Sequence, residues 1–213
     1  MNYTLKGIIS LKVLIIILCT YFLLHHSKSS AQPTLFGAGI QGGNGLGVIY
    51  GLPIGYTSLA QQYNLTVSNK GKNPKYSHFI QVSNGKMYGM VSYGGANNAG
   101  VLFEYDPATN SYTPKIEFNI IANGLNPTGA LIEANNGKLY GLAYSGGTNS
   151  MGTLFEYDYV SNVFTKKIDF DGTAKGSYPQ GTLMQAANNK LYGTTATGGL
   201  NNFGVMFEYD ITT

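Results

Sequence analysis

The chain has 213 residues, with 13 lysines against 10 acidic side chains and a formal net charge of +3 at pH 7. Lys6, Lys12 and Lys28 lie in an N-terminal segment that we expect to be removed, which leaves ten lysines against the same ten acidic residues. This balance excludes a basic surface for nucleic acid. The single cysteine, Cys19, lies in the same segment, so the rest of the chain has no disulfide, thiol nucleophile or cysteine metal ligand.

Residues 1–31 have the pattern of a signal peptide. After two lysines comes an apolar run of twelve residues, 13–24, and then Ser29, Ser30 and Ala31, the small residues expected before a cleavage site. Twelve helical residues rise only about 18 Å, less than the hydrocarbon core of roughly 30 Å. We therefore expect residues 32–213 to be an exported domain with no membrane segment after cleavage. Retention of the segment as an anchor is the alternative.

One sequence motif recurs at a step of 52 residues. It reads KMYGMVSYGGANNAGVLFEYD at 86–106, returns at 138–158 and 190–210, and has a degenerate copy at 34–50. A fixed period near fifty residues is typical of propellers and related arrays. The domain therefore divides into a degenerate repeat at 32–75, full repeats at 76–127 and 128–179, and an incomplete repeat at 180–213.

Each repeat is predicted to form four short strands, named a to d, without a helix. The a–b turn of the second full repeat is Asn136-Gly137, a dipeptide that favours a type I′ hairpin with both turn residues at positive φ. The b–c loop is built on Gly146-Gly147. In chain order the four strands are predicted at 129–134, 138–144, 152–158 and 163–170.

The predicted fold class follows from the lengths of the strands and their connections. Four strands of about six residues with four short connections fill one period. The fold is therefore all-β, a propeller-like array of four-stranded antiparallel blades with about three and a half 52-residue repeats. Strand counts of three, four, four and three end in mid-repeat, so we expect a truncated chain, with a shortened, open array as the alternative.

Strand c supplies the predicted core. Leu102 and Glu104 face one side of the strand, and Phe103 faces the other. The phenylalanine recurs as Phe155 and Phe207. Stacked repeats are predicted to share a core made of these rings, which no single repeat could bury alone.

His78 is the sole histidine outside residues 1–31. Nucleophilic catalysis by a Ser-His-Asp or Cys-His centre needs a histidine base. No nucleophile motif lies near His78, so we expect a structural or surface histidine. No catalytic residue, cofactor or metal ligand is predicted elsewhere in the chain.

Most carboxylates recur with the repeat. Glycoside hydrolysis needs two carboxyl groups roughly 5–10 Å apart, but an active site is normally built once, so recurrence favours a structural role. Asp169 and Asp171 do not recur in the sequence, which makes them the more interesting pair. The recurring residues are Glu104, Glu156, Glu208, Asp106, Asp158 and Asp210.

The aspartates that end strand c are expected to accept backbone N–H groups in the c–d turn. A calcium site is the alternative, formed by Asp106 with Asn110 or by Asp158 with Asn162. The spacing lacks the dense run of oxygen ligands found in calcium-binding loops. The turn is therefore the favoured interpretation.

Three asparagines, Asn97, Asn149 and Asn201, occupy the same place in successive b–c loops. A ring of amides at one rim, with Tyr93 and Tyr144 nearby, would suit a glycan, peptide or protein ligand. The alternative is that asparagine merely tolerates the turn geometry.

The repeats resemble the GloVer tandem-repeat family of exported bacterial proteins. The resemblance rests on the segment LYGTT at 191–195, followed by Gly198-Gly199 and by GVMF at 204–207. It implies an extracellular, propeller-like repeat region, often in larger proteins with a C-terminal sorting or anchoring domain, and it implies no activity. The segment YDPATN at 105–110 is also similar to kelch blades, whose fold is a propeller.

These observations predict an exported repeat protein that acts as a non-enzymatic binding or spacer module at the cell surface or outside the cell. A carbohydrate-active enzyme or lyase region on a propeller scaffold is the alternative, and a nonfunctional gene fragment is a third. Repetition at every position favours the module, whereas one asymmetric cluster of carboxylates or aromatic rings favours the enzyme. The oligomeric state stays open.

Overall fold

The computed structural model describes residues 34–39, 46–53, 60–65, 70–72, 74 and 78–212. These residues form strands, turns and loops, with no α-helix among them. No helix in this part of the chain has the length and apolar character needed to cross a membrane. The predicted signal peptide, residues 1–31, lies outside the described residues.

The described residues form fourteen strands in four antiparallel sheets. In chain order the strands are β1 (Thr34–Gly39), β2 (Val48–Pro53), β3 (Ala60–Asn64), β4 (Ile80–Gln81), β5 (Met87–Val91), β6 (Val101–Asp106), β7 (Ser111–Glu117), β8 (Leu125–Glu133), β9 (Leu139–Ser145), β10 (Thr153–Asp158), β11 (Val163–Asp169), β12 (Ser177–Gln185), β13 (Lys190–Thr197) and β14 (Met206–Asp210).

Each sheet follows one repeat and keeps its strands in sequence order. Strands β1 to β3 form blade 1, β4 to β7 blade 2, β8 to β11 blade 3, and β12 to β14 blade 4. The predicted all-β array with three, four, four and three strands is therefore confirmed. Strand a of one blade contacts strand a of the next, β4 with β8 and β8 with β12, so these strands lie innermost in the array.

The innermost strands are longer than predicted. Strand β8 begins at Leu125, whereas the prediction placed its start at Gly129. Its register against β9 shifts between Thr128 and Ile132, so the predicted start is a β-bulge inside the strand. The prediction missed the first part because Pro127 reads as a strand breaker. At a sheet edge proline is tolerated, because its missing N–H faces away from the neighbouring strand and the ladder loses no hydrogen bond.

The a–b turns differ from the predicted type I′ geometry. Only the last loop residue has positive φ, at 80° for Gly85, 73° for Gly137 and 64° for Asn189. The N–H of Gly85 donates to the carbonyl of Val82 at 2.9 Å, so a type I turn is followed by one left-handed residue. Asn84 stays at negative φ because its Oδ1 accepts the N–H two residues later, at 2.9 Å. The type I′ prediction is wrong.

Both faces of strand c are buried because each full blade lies between two neighbours. In β6, Phe103 packs toward blade 1 in a cluster with Ile49 and Leu65, whereas Leu102 packs toward blade 3 in a cluster with Phe155. The predicted alternation is confirmed, and each face serves a different interface between blades. Phe103 and Phe155 are 1% and 0% exposed, as expected of core rings.

Blade 4 exposes side chains whose counterparts in earlier blades are buried. Leu102 and Leu154 are 0% exposed, whereas Met206, at the same position one repeat later, is 76% exposed. Phe203 is 89% exposed, while Ala99, its counterpart in blade 2, is 0% exposed. Within the described residues no sheet covers this face of blade 4. Burial at these positions therefore comes from the following blade and is not a property of the repeat alone.

Candidate functional site

Each of blades 2 to 4 holds a cluster of one lysine, one tyrosine and one glutamate. Tyr88 and Glu104 are cross-strand partners in β5 and β6, and Lys86 precedes the tyrosine by two residues on the same face. The hydroxyl of Tyr88 donates to Oε2 of Glu104 at 2.6 Å, and Nζ of Lys86 donates to Oε1 at 2.7 Å. The cluster recurs as Lys138, Tyr140, Glu156 and as Lys190, Tyr192, Glu208.

Hydrogen bonding decides the charge of these glutamates. Burial raises the pKa of Glu104, but hydrogen bonds from Lys86, Tyr88 and Lys115 outweigh it, so the net pKa lies below the ordinary value. Burial is the main cause that raises the pKa of Tyr88, and its bond to the carboxylate adds to the shift. A carboxylate whose two oxygens both hold protein donors has a structural role, as its recurrence predicted.

The aspartates at the end of strand c accept backbone N–H groups, which confirms the predicted turn. Oδ1 of Asp106 accepts from Ala108 at 2.8 Å, and the counterparts in the next two repeats do the same. The amide oxygen of Asn110 accepts the hydroxyl of Tyr105. Oδ1 of Asp106 and Oδ1 of Asn110 thus both accept protein donors, one from the turn and one from β6. Among the described residues, no group of three or more His, Cys, Asp or Glu could hold a metal ion.

Asp169 was predicted to be non-repeating, and the structure corrects this. Its Oδ1 accepts the N–H of Thr148 at 2.8 Å, while one repeat earlier Oε2 of Glu117 accepts the N–H of Ala96, also at 2.8 Å. A glutamate and an aspartate thus occupy equivalent positions in the two repeats, and both carboxylates hold the b–c loop in place. The sequence comparison missed this because the two residue types differ.

Asp171 also has a counterpart. Its Oδ1 accepts the N–H groups of Ala174 and Lys175, at 3.0 and 2.8 Å. One repeat earlier, Oδ1 of Asn119 accepts the N–H groups of Ile121 and Ala122, both at 3.1 Å. The position is therefore a repeated cap of the loop between blades, filled by Asp or Asn.

The predicted rim asparagines lie in the b–c loops, and two of their side chains bond to the backbone. Nδ2 of Asn97 donates to the carbonyl of Phe118 at 3.0 Å, and Nδ2 of Asn149 donates to the carbonyl of Phe170 at 2.9 Å. These bonds attach each loop to the end of strand d. The non-glycine residue with positive φ in each loop is instead the next one along, with φ of 51°, 59° and 59° at Asn98, Ser150 and Asn202.

The innermost strands enclose a groove that the sequence did not predict. It has a volume of about 620 Å³ and lies where blades 2, 3 and 4 meet. His78 enters it from blade 2, Thr128 from blade 3 and Thr182 from blade 4. We name this feature the central groove. Its lining is His78, Ser92, Tyr93, Asn126, Thr128, Gly129, Tyr144, Gln180, Gly181 and Thr182.

The lining of the central groove departs from the repeat. His78 stands where the next two repeats carry Ala130 and Thr182, since each step is 52 residues. Tyr144 stands where the repeats on either side carry Ser92 and Ala196. The glutamate clusters, the turn aspartates and the strand c rings repeat, but these positions do not. The groove is therefore asymmetric although its scaffold is periodic.

Glycines let two innermost strands meet at the groove. Gly129 has φ of +72°, and a β-carbon on it would overlap the carbonyl oxygen of Gly181 in the next blade. Gly181 has φ of +84°, and nothing lies within 4 Å of the place where its own β-carbon would point. Both glycines sit in β-bulges, because β8 and β12 shift register there. Bulges commonly mark functional positions.

Tyr144, which lines the groove, belongs to a stacked tyrosine pair. The ring of Tyr144 stacks on that of Tyr178, with centroids 5.2 Å apart and an interplanar angle of 30°. Tyr178 has φ of 58°, an unusual conformation for a bulky residue, and its N–H donates to the carbonyl of Met151 at 2.8 Å. The equivalent residue in blade 3, Asn126, has nearly the same φ of 55°. Strain of this kind concentrates at binding and catalytic sites.

The described lining of the groove is polar, and His78 is its one basic side chain. Among the described residues, its lining has hydroxyl, amide, aromatic and glycine groups, and no carboxylate or lysine. A pair of carboxyl groups for glycoside hydrolysis is therefore absent from it. His78 had been expected to be a structural or surface residue; it is exposed and faces this groove. The sequence signal that could have revealed the site is the loss of periodicity within strand a.

Comparison with known proteins now decides the family. The sequence profile of the Gloeobacter/Verrucomicrobia repeat matches residues 27–213. The chain belongs to this repeat family. The resemblance predicted from the LYGTT segment and the glycine pairs is confirmed. No curated protein matches the chain.

Solved structures resemble this Gloeobacter/Verrucomicrobia repeat protein in fold. TolB from Acinetobacter baumannii matches 84% of this chain and 39% of its own, with a TM-score of 0.54 and 12% identity. A putative TolB from Agrobacterium tumefaciens matches 84% of this chain and 51% of its own, with a TM-score of 0.46 and 11% identity. A protein of unknown function from Dyadobacter fermentans matches 77% and 54%, with a TM-score of 0.49 and 14% identity.

The chain spans less than two thirds of the length of each of these structures. At such low identity, the likeness to the Acinetobacter protein concerns the fold alone. It agrees with the propeller-like arrangement of the blades.

Proposed function

We propose that this repeat protein is a non-enzymatic binding module and that the central groove is its ligand site. The observation that carries the proposal is the asymmetric lining of a periodic scaffold. Blade packing explains why the Tyr-Gly pair and the Phe-Glu-Tyr-Asp segment recur, because those residues fill equivalent interfaces. It does not explain a histidine at 78, a tyrosine at 144 and a glutamine at 180, which face the groove.

The shape of the groove supports a ligand. Small-molecule sites are commonly concave spaces of about 300–1,000 Å³ with a few converging polar groups. The volume of about 620 Å³ falls in this range. Side chains from three blades meet there, so the site requires the stacked array and not one repeat.

The alternative function is a carbohydrate-active enzyme or lyase. Its support is that His78, Tyr93 and Tyr144, all groups able to transfer protons, line one asymmetric groove. The lack of a carboxylate in this lining favours binding over hydrolysis. Incubation with neutral and uronate-containing polysaccharides separates the two functions. We expect no new reducing ends and no rise in absorbance from unsaturated products, and turnover that His78→Ala abolishes would contradict a pure binding role.

A ligand at the rim formed by Asn97, Asn149 and Asn201 is a separate proposal. It has less support than the groove, because the amide groups of Asn97 and Asn149 donate to main-chain carbonyls. Their Oδ1 atoms and the second hydrogen on each Nδ2 are the groups that a rim ligand could use.

We also propose that the protein is exported and acts at the cell surface or outside the cell. The support is the N-terminal pattern, in which lysines precede an apolar run and the small residues Ser29, Ser30 and Ala31. Mass spectrometry of the protein recovered outside the cytoplasm tests this. We expect a new N-terminus at Gln32, whereas recovery of uncleaved chain in the cytoplasm alone would contradict export.

Binding in the groove is tested with the purified protein and a broad library of oligosaccharides, peptides and nucleosides. We expect at least one class to shift the backbone NMR signals of Tyr144, Gly181 and Thr182. Gln180→Trp should fill the groove and abolish the shifts. The matched control is Thr165→Trp, which places the same side chain on an exposed position of β11 away from the groove. Shifts that map to other surfaces, or no binding by any class, would refute the proposal.

A further inference from the structure

We infer that the central groove takes a neutral saccharide, with one sugar ring lying on the ring of Tyr144. This inference rests on the proposed function, because it names the ligand class of the same site. The charge, the hydrogen-bonding capacity and the aromatic wall of the groove all favour such a ligand.

Charge excludes most ionic ligands. The ten lining residues that the structure describes include no lysine, aspartate or glutamate, and His78 is the one basic side chain among them. A phosphate or a uronate chain would leave several negative charges without a partner. Anion sites ordinarily supply arginine, lysine or a helix N-terminus. The described part of the lining supplies none of these, so an uncharged ligand fits it best.

The hydroxyl groups of the groove keep unused hydrogen-bonding capacity. The hydroxyl of Thr182 accepts the N–H of Ala130 at 3.1 Å, which leaves its own proton to donate. The hydroxyl of Ser92 donates to the carbonyl of Pro127 at 3.2 Å, which leaves its oxygen to accept. A donor and an acceptor thus line one groove. Sugar hydroxyls, which both donate and accept, match such a set.

Asn126 adds a further polar group. Its Oδ1 is shielded from solvent and has no hydrogen-bond partner among the described residues, although Asn126 lines the groove. A buried acceptor without a partner costs free energy, and such groups in folded proteins call for a structural or functional reason. A ligand hydroxyl that donates to this oxygen would satisfy it.

Tyr144 offers a platform that is already held in place. Its stacking on Tyr178 restricts its rotation before any ligand arrives. The C–H face of a sugar ring is apolar and covers an aromatic face well, and a pre-ordered ring loses little entropy on binding. The open space at Gly181 leaves room for a ring beside the bulge of β12.

A peptide is the competing ligand class, and the bulges disfavour it. An extended peptide binds a sheet edge by continuing its regular ladder of N–H and C=O groups. Strands β8 and β12 are the edges that border the groove, and each shifts register there, at Gly129 and at Gly181. A bulge interrupts the ladder. The groove therefore suits a compact ring better than an added strand.

The test measures binding of maltotriose, cellotriose, xylotriose and chitotriose by calorimetry, beside trigalacturonate and trialanine. We expect at least one neutral trisaccharide to bind and to shift the groove signals, and Tyr144→Ala to weaken it about tenfold. Tyr178→Asn should weaken it by a smaller factor, because it removes the support of the ring but keeps a residue that adopts this φ in blade 3. Phe203→Ala, which removes an exposed ring outside the groove, should leave affinity unchanged.

Each other outcome overturns the inference in a recognisable way. If none of the four neutral trisaccharides binds, the ligand class is refuted. It is also refuted if a trisaccharide binds Tyr144→Ala as tightly as it binds the wild type. Tighter binding of trigalacturonate or trialanine in the groove also refutes the ligand class but leaves the proposed function standing. If no member of the broader library reaches the groove, the proposed function fails as well.

Discussion

The ring of Phe155 lies against Gly141 of the neighbouring strand, so that a β-carbon on residue 141 would stand 2.5 Å from Cζ of the ring. The two residues are direct partners across β9 and β10. The same relationship joins Gly89 to Phe103. The recurring Tyr-Gly pair and the recurring phenylalanine are therefore one structural unit, since the glycine leaves the space that the ring fills.

Gly141→Ala is expected to destabilise the protein by about 1–3 kcal/mol, because the new methyl group overpacks the core. Chemical denaturation measures the free energy of unfolding. In a double-mutant cycle, Phe155→Leu should relieve much of the cost by shortening the opposing side chain. If the two substitutions add without coupling, the ring does not depend on the glycine as the structure indicates.

Leu154 and Met206 form a matched pair at one repeat position. Leu154→Ala should cost about 2–5 kcal/mol, because it empties a fully buried site. Met206→Ala should change stability by less than about 0.5 kcal/mol, since that side chain is 76% exposed. Thermal and denaturant unfolding of the two variants provide the comparison. Equal losses would mean that another surface covers blade 4 in solution.

Glu156→Gln is expected to lower stability at neutral pH by about 1–3 kcal/mol, because it removes the charge that Lys138 and Tyr140 bond. Glu208→Gln is the matched control and should cost much less, since its side chain is 51% exposed. Denaturation curves at pH 7 measure both. A larger loss for Glu208→Gln would contradict the role of burial.

The contribution of Glu156 to the free energy of unfolding is expected to depend on pH. Burial raises the pKa of Glu156. Hydrogen bonds from Lys138 and Tyr140 and the charge of Lys167 lower it by more than burial raises it, so the pKa in the folded protein lies below the ordinary value. The unfolded chain therefore binds the proton first as pH falls, and the stabilisation is complete above about pH 4.5 and is lost as pH drops through the folded pKa. The gap between wild type and Glu156→Gln should narrow there. A constant gap down to pH 2 would refute the assignment.

Asn149→Ala should destabilise the protein by about 0.5–1.5 kcal/mol, because the carbonyl of Phe170 loses its donor. Asn201→Ala provides the control, since Asn201 makes no such bond within the described residues. Hydrogen exchange of the b–c loop of blade 3 should rise in the first variant alone. An equal effect of both substitutions would contradict a loop-anchoring role for Asn149.

Much of the scaffold could be predicted because its determinants are local or periodic. The 52-residue step located the blades, and the alternation in strand c located Phe103 and Leu102 on opposite faces. The type I′ prediction failed because Asn136-Gly137 fits two turn geometries, and the hydrogen bond from the backbone to the asparagine oxygen selects one. The start of β8 was missed because Pro127 is a poor strand residue except at an edge, and an edge is a tertiary property.

The sequence by itself determined the all-β class, the positions of the repeats and the family, since each depends on a pattern that recurs along the chain. Only the tertiary structure decided that Glu117 and Asp169 do one task and that Leu154 is buried while Met206 is exposed. It also brought His78, Tyr144 and Gln180 to one groove. These residues lie in three different repeats, and their proximity follows from how blades stack, which no local pattern encodes.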